Sequence, residues 1–501
     1  MFVQKAVLAA GLLRIAHAVP MPQMTYDENT GPVAGVSPPI PTFTSTSGSL
    51  RGPTSLQGGI APLPVVSGPG SDSAAVPDPE FVNGQDADAD LGLYLDFSSP
   101  TLTAPHGPQP LRGGVGATDP GPRTFEYERL NPDLYAPPAS DQGDVANAMW
   151  PLGLSHNRAG IGKGSGWARQ QNVDNLPAAT AMAGVDMRLA PNAYRELHWH
   201  QSAEWGLILK GSVRVAAINE DGASFIDDVT AGDVWFFPPG VPHSLQAHDE
   251  GCEFLLVFDS GDFSEEDTFL ATEMMLRSPK EVWAKDLQVD VSALDGIPQD
   301  QKYIFNGSPI PSDISKQNIT GSAGALSGPN GYTYHWSRQA PLTTPGGSVK
   351  ILDPLTFPIA RSFSAALVTL APGAMREVHW HTTSDEWSYF LQGSARISVY
   401  KAPTSARTFD FTAGDVGYIP QAQSHYVENT GDGDVVFLEV LQADRFADVS
   451  AAQWLALTPR QVVKDTLNLT DEVLDALPRQ KTIIKPGNRN LTAVAGGSGK
   501  E

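Results

Sequence analysis

The chain has 501 residues, with 56 acidic and 33 basic side chains and a formal net charge of −23. An acidic balance of this size excludes nucleic-acid binding by counterion release, and a single cysteine, Cys252, excludes disulfide scaffolds and cysteine-based zinc sites. Hydrophobic residues at 41% supply material for sizeable cores, while 48 glycines and 42 prolines suit turn-rich β structure better than long helices.

Residues 1–18 read as a secretory signal peptide: Lys5 is positive, residues 6–15 are mostly apolar, and Ala16-His17-Ala18 is a small-x-small cleavage site. The expectation is a secreted, extracellular protein without a membrane span, because no later run approaches twenty apolar residues. Asn306, Asn318, Asn468 and Asn490 each begin a glycosylation sequon, in keeping with export. Residues 19–110 form an arm rich in Pro, Gly and Ser. Without apolar periodicity it cannot bury enough surface to offset chain entropy, so disorder is expected. Asp86, Asp88 and Asp90 imitate the start of a calcium loop, but Leu91 and Phe97 stand where Gly and Glu are required. The glycine-rich run 160–166 lacks the spacing of a phosphate cradle and reads as a flexible loop.

Beyond this point the chain repeats itself. Residues 187–200, ending Arg195-Glu-Leu-His-Trp-His200, return as 368–381, ending Arg376-Glu-Val-His-Trp-His381, and Thr230-Ala-Gly-Asp-Val returns at Thr412. So long a period means duplicated domains and not a solenoid. The expected boundaries are 111–325 for the first domain with its lead-in, 326–490 for the second, and 491–501 for a flexible tail. Short runs rich in Val, Ile and Phe, such as 204–210, 213–218, 234–237 and 254–258, alternate with turns and predict strands. Helical stretches follow at 269–276 and 279–284, then at 451–457, 459–467 and 471–477. The fold class is therefore all-β, two β-barrel domains with helical appendages.

The chemistry concentrates in the repeat. His198 and His200, like His379 and His381, are spaced to put both rings on one face of a strand, with Trp199 or Trp380 on the other. An acid follows, Glu204 or Glu386, and a third histidine comes later, His243 or His425. The spacing to Glu386 is one residue longer, so a turn or bulge must separate histidines from acid. Three imidazoles and a carboxylate suit a divalent first-row metal, and on these donors alone Mn, Fe, Co, Ni, Cu and Zn all stay open. Trp199, Trp235 and Trp380 read as packing residues, and Cys252 as an inert buried thiol.

These residues resemble the cupin superfamily. Gly373, His379, His381, Glu386 and Gly393 follow its first motif throughout; the first module has His198, His200, Glu204 and Gly211, with Asn192 at the leading glycine. The second motif is met by Gly232, Pro238, Gly240 and His243, with Ala247 for its asparagine, and by Gly414, Pro420, His425 and Asn429, with Ala422 for its second glycine. Among two-domain cupins, segments such as Gly166-Trp-Ala-Arg-Gln-Gln and His425-Tyr-Val-Glu-Asn-Thr-Gly are similar to oxalate decarboxylases over about Leu111 to Pro486.

That resemblance implies two jelly-roll-like double-stranded β-helix barrels and two manganese ions per chain. It also implies dioxygen as co-catalyst, and oxalate converted to formate and carbon dioxide. It gives Arg195 the role of holding substrate, with Arg376 as its counterpart. Glu265, in the lid 263–269, handles the proton, and Glu439 is the acid of the second site. The lid departs from the family pattern at Glu266 and Asp267. A homotrimer or hexamer is implied too, and the second site is structural, auxiliary or weakly active. The alternatives are an oxalate oxidase releasing peroxide, a non-catalytic storage-type bicupin, and a flavonol dioxygenase.

Overall fold

A computed structural model describes residues 141–487, Lys163 excepted. The signal peptide, the Pro-rich arm, the Asp86–Asp90 run, the Asn490 sequon and the tail lie outside the described residues. Every named strand pair within them is antiparallel, and each repeat forms its own barrel-like set of sheets.

Long strands carry the first module. Residues 204–210 and 213–218, expected as separate strands, are one continuous strand, Glu204–Ile218. The chain bends within it: register slips at Ile208/Lys210 and Gly211/Val213, and Gly211 takes a φ of 69°. A glycine tolerates that conformation at a bulge, so the strand curves without ending. Likewise 254–258 is the second half of His243–Phe258. The helix expected from 269 begins at Ala271, because Phe269 and Leu270 pair as a short strand against Trp199 and His198.

Both faces of these strands are buried, which explains their nearly unbroken apolar sequence. Along 204–209, Ile208 enters the first barrel's interior, whereas Trp205, Leu207 and Leu209 join a second cluster with Trp387, Tyr389, Tyr418, Leu438 and Val440 of the other module. The two modules are thus cemented by their outer faces. Gly184 shows how tightly: a Cβ there would stand 2.2 Å from the Trp387 ring.

The modules also exchange strands. Met149–Pro151, which leads into the first module, pairs with Asp415–Ile419 of the second. Thr333–Tyr334, which leads into the second, pairs back onto Val234–Phe237 of the first. Sheet membership therefore crosses the 325/326 boundary in both directions.

The exchange leaves two equivalent aspartates in unequal settings. Asp233 accepts from His335 Nδ1 at 2.9 Å and from Ser337 Oγ at 2.6 Å. Burial raises its pKa, but these partners outweigh that and leave it lowered. Asp415 has bonds only from Thr412, and burial pushes it up from 3.8 to about 7. The native state then keeps a proton that the unfolded chain releases above about pH 4, so this residue costs stability progressively as pH rises from about 4 to about 7. Asp415→Asn should therefore gain thermal stability relative to the wild type across that window and hold the gain above it. A difference in Tm that does not change with pH would contradict this.

Candidate metal centres and substrate pocket

A period of two cannot put residues 195 and 198 on the same face of a strand. The structure solves this with a bulge: along Ala193–Trp199 the register to His243–Phe258 shifts between Arg195 and His198, and His198 pairs with His243. Leu197 is thrown outward, 63% exposed, while Arg195 and His198 are both buried. The second module repeats the device between Arg376 and His379, with His379 opposite His425. His200 and His381 sit just past their strand ends, and the following turns absorb the unequal spacing to Glu204 and Glu386, each of which opens the next strand.

Each set converges. The ligating atoms of His198, His200, Glu204 and His243, and of His379, His381, Glu386 and His425, lie within 4.8 Å of one another, and all eight residues are buried. Glu204 Oε2 approaches His200 Nε2 to 3.0 Å and His243 Nε2 to 3.4 Å; Glu386 Oε2 approaches His381 and His425 Nε2 to 2.9 and 3.0 Å. Neighbouring ligands at about 2.1 Å from a six-coordinate ion stand about 3.0 Å apart, so the spacing fits a metal. In the first set, His200 Nε2, His243 Nε2 and Glu204 Oε2 make no hydrogen bond to each other, although buried polar atoms normally find a partner.

Five of the six outer ring nitrogens have a backbone partner; His200 Nδ1 has none. His198, His243, His379, His381 and His425 each place Nδ1 2.6 to 3.0 Å from a backbone carbonyl, which turns the Nε2 lone pair inward. Burial, then the neighbouring arginine, holds His198 and His379 far below the ordinary histidine pKa, so both are neutral ligands. Burial pulls Glu204 and Glu386 upward, but the adjacent imidazoles outweigh it and both stay ionised well below the usual carboxylate range.

The first centre has a carboxylic acid poised over it. Glu265, on the short turn Glu265–Asp267, is buried; its Oε2 accepts from Tyr303 Oη at 2.9 Å and from Arg195 Nη2 at 3.2 Å. Its backbone is tied down by Gln170 Oε1, which accepts from Glu265 N, and by Arg158, which donates to Glu265 O. Arg195 Nε and Nη1 are buried without a hydrogen-bond acceptor, as is Glu265 Oε1. The two guanidinium nitrogens are donors suited to a small anion. A cavity of 390 Å³ opens on the lid side of His200, lined by His200, Ser202, Phe263, Ser264 and Asp267.

The second centre differs. Arg376 is buried, but no lid acid reaches it: its Nη2 is held by Asp448, which also pairs with Lys481, and its Nε lies 3.5 Å from Glu439 Oε1. Glu439 is fully buried with neither oxygen hydrogen-bonded, and burial raises its pKa against the pull of Arg376.

Some residues escaped the sequence reading. Glu196, the bulged residue beside Arg195, accepts from Lys302 N, Tyr303 N and Thr272, and so fixes Tyr303 in place; Glu377 does the same for Thr482 and Ile483. Recurrence of Arg-Glu in both modules was the available signal. Trp235 packs in the first barrel's core, edge-on to Phe254, and also does what its sequence did not show: its Nε1 donates to Glu204 Oε1 at 2.7 Å, orienting a ligand. The second module has Gly417 there, opposite Ser388, and Glu386 Oε1 has no partner. Trp199 and Trp380 do pack, against Phe269 of the short strand Phe269–Leu270 and Trp454 of the helix Ala451–Leu457, and Cys252 is buried and unpaired.

Comparison with known proteins agrees with this geometry. The cupin family model matches residues 153–294 and 336–475. The chain is 46% identical over 374 residues to oxalate decarboxylase OxdC of Bacillus subtilis (strain 168), covering 75% of this chain and 96% of that one. It is 39% identical over 382 residues to a probable oxalate decarboxylase of Arthroderma benhamiae, covering 75% and 93%. Among solved structures, B. subtilis oxalate decarboxylase at pH 4.6 aligns with a TM-score of 0.70 at 45% identity, over 76% of this chain and 98% of that one. A structure of the same enzyme from work assigning its Mn(II) centres by EPR aligns with a TM-score of 0.70 at 44% identity, over 76% and 100%.

Proposed function

The chain belongs to the cupin family, as a two-domain member of the oxalate decarboxylases, and from that premise we propose that its first centre converts oxalate and one proton to formate and carbon dioxide. The observation that carries the reading is Glu265: an acid enclosed with Arg195 and Tyr303 beside three histidines and a glutamate.

The donor set fits manganese, which the Mn(II) centres of the B. subtilis enzyme also support. Bound by His198, His200, Glu204 and His243, it supplies Lewis acidity and one-electron chemistry, with dioxygen as co-catalyst. Arg195 then binds a substrate carboxylate through its open Nε and Nη1 and fixes the dianion's orientation. The closed lid excludes water. As the carbon–carbon bond breaks and carbon dioxide leaves, Glu265 delivers its proton to the remaining carbon, making the C–H bond of formate; the carboxylate is reprotonated from solvent when the lid opens. Tyr303 and Arg195 place that carboxyl in the pocket.

The same proton donor argues against the oxidase alternative, in which the carbon is oxidised and peroxide released. With oxalate in air at mildly acidic pH, formate should appear in nearly equal amount to oxalate consumed. Peroxide as the main product would overturn the reading.

The chain is further proposed to be secreted, on the strength of residues 1–18, and glycosylated at Asn306, Asn318 and Asn468, all exposed. Among the described residues no helix is long and apolar enough to cross a membrane. Self-association as a trimer or hexamer is supported by apolar side chains left exposed on the helical appendages, including Val282, Leu287, Trp454 and Leu457.

A further inference from the structure

The lid turn Glu265–Asp267 is gripped from behind by Arg158, on the short strand Asn157–Ala159. Arg158 donates from Nη1 to the Glu265 carbonyl and from Nη2 to Gln301 Oε1 at 3.0 Å. Its Nε lies 3.3 Å from Glu266 Oε1, and its guanidinium carbon sits 3.8 Å from the centre of the Tyr303 ring. Two of these partners belong to the lid, and two to the segment that leads into the strand Ile304–Asn306. One side chain thus bridges the seam that must part when the lid opens. The Glu265 amide is held separately, by Gln170 Oε1.

The pairing ladders show what stands at this place in the other module. Met187 and Val368 are equivalent in the repeat, and they pair with Ala168 and Val349. Arg158 pairs with Ala168 as Leu342 pairs with Val349, so Arg158 corresponds to Leu342, which is exposed. The arginine belongs to the module with the acid-bearing lid, and the module without that lid has an aliphatic side chain there. Its partner Glu266 is one of the two positions at which this lid departs from the family pattern. The ion pair is therefore a feature of this chain, not of the pattern.

We propose that Arg158 is a positioning residue that latches the closed lid, and that its pairing with Glu266 makes closure sensitive to ionic strength. Through the Glu265 carbonyl it holds the backbone that carries the acid. Through the Tyr303 ring it holds the hydroxyl that donates to that acid. The two lid contacts respond differently to salt. The bond to the carbonyl comes from a side chain only 15% exposed and is little screened, whereas Glu266 is 68% exposed, so its attraction fades as salt rises. The latch deepens the functional proposal and rests on the closed lid placing Glu265 as proton donor.

The test reads lid opening as hydrogen-exchange protection of the amides of 263–268 in the full-length, manganese-loaded protein, with formate per oxalate consumed measured in parallel. Raising the salt from about 0.01 M to about 1 M shortens the Debye length from about 30 Å to about 3 Å. In the wild type this should lower lid protection about two- to five-fold, the range of an exposed ion pair. Glu266→Gln should show that loss already at low salt and no further response. Arg158→Gln, which also loses the charge-assisted bond to the carbonyl, should lower protection about ten- to a hundredfold and reduce formate per oxalate. Arg158→Lys, which keeps the charge without the planar fork, should fall between. Protection of the barrel strand 254–258 should stay at the wild-type level throughout, which a general loss of stability would not allow. Wild-type lid protection in Arg158→Gln overturns the latch. Should that variant fail to fold, Glu266 decides: a wild type indifferent to salt, or a salt response that survives in Glu266→Gln, overturns the proposal. Reduced lid protection with an unchanged formate yield would uphold the latch and sink the reading of Glu265 as proton donor.

Discussion

Glu265→Gln should lower formate production by about 10²- to 10⁴-fold, the range expected when a positioned proton donor is lost. The substitution is nearly isosteric, and the amide oxygen can still accept from Arg195 and Tyr303, so the lid should close as before. What disappears is an exchangeable proton beside the nascent formate carbon. Metal content should be unchanged, because no atom of Glu265 belongs to the ligand set. The residual turnover should shift toward peroxide. Formate production at the wild-type rate would acquit the residue, and the solvated neighbours Glu266 and Asp267 would become the acids to examine.

His200→Ala and His381→Ala should separate the two centres. Each removes one ring from a buried set of four and should cost its centre the metal, leaving about one ion per chain by elemental analysis. Losing roughly 4 kcal/mol of charge stabilisation at the reacting carboxylate corresponds to about a thousand-fold in rate, and that loss is expected from His200→Ala. His381→Ala should instead keep a formate-to-oxalate ratio near one and pay in thermal stability, since a ligand present at a hundred times its Kd is worth about 2.7 kcal/mol. Equal loss of formate yield in both variants would assign chemistry to both centres.

The repeat made the eight ligands legible, because the same histidines and acids recur in order in both modules, whereas both arginines were singled out by the family resemblance and by recurring three residues before His-Trp-His. The coarse strand pattern was legible in the short apolar runs between turns. What sequence spacing hides is anything set by non-local pairing. The bulge that turns Arg195 and His198 to one side leaves no local mark, and a single continuous strand through Gly211 looks like two. Trp235 illustrates the limit well: an indole in an apolar strand reads as packing whether or not its N–H reaches a ligand. Here the clue was asymmetry, Trp235 and Gly206 in one copy against Gly417 and Ser388 in the other, since a Cβ on Gly206 would stand 2.2 Å from the indole. Asp448 was hidden differently. It stands 72 residues from Arg376, and the corresponding place in the first module is Thr268, so no recurrence marks it.

Met149–Pro151 and Thr333–Tyr334 bear on how such a chain can be divided. A cut in the connection between the repeats would yield halves that each carry a strand belonging to the other's sheet, and each would expose the apolar face that its partner covers. Neither fragment is then a self-sufficient unit, but the pair, produced together, retains every strand needed to reassemble.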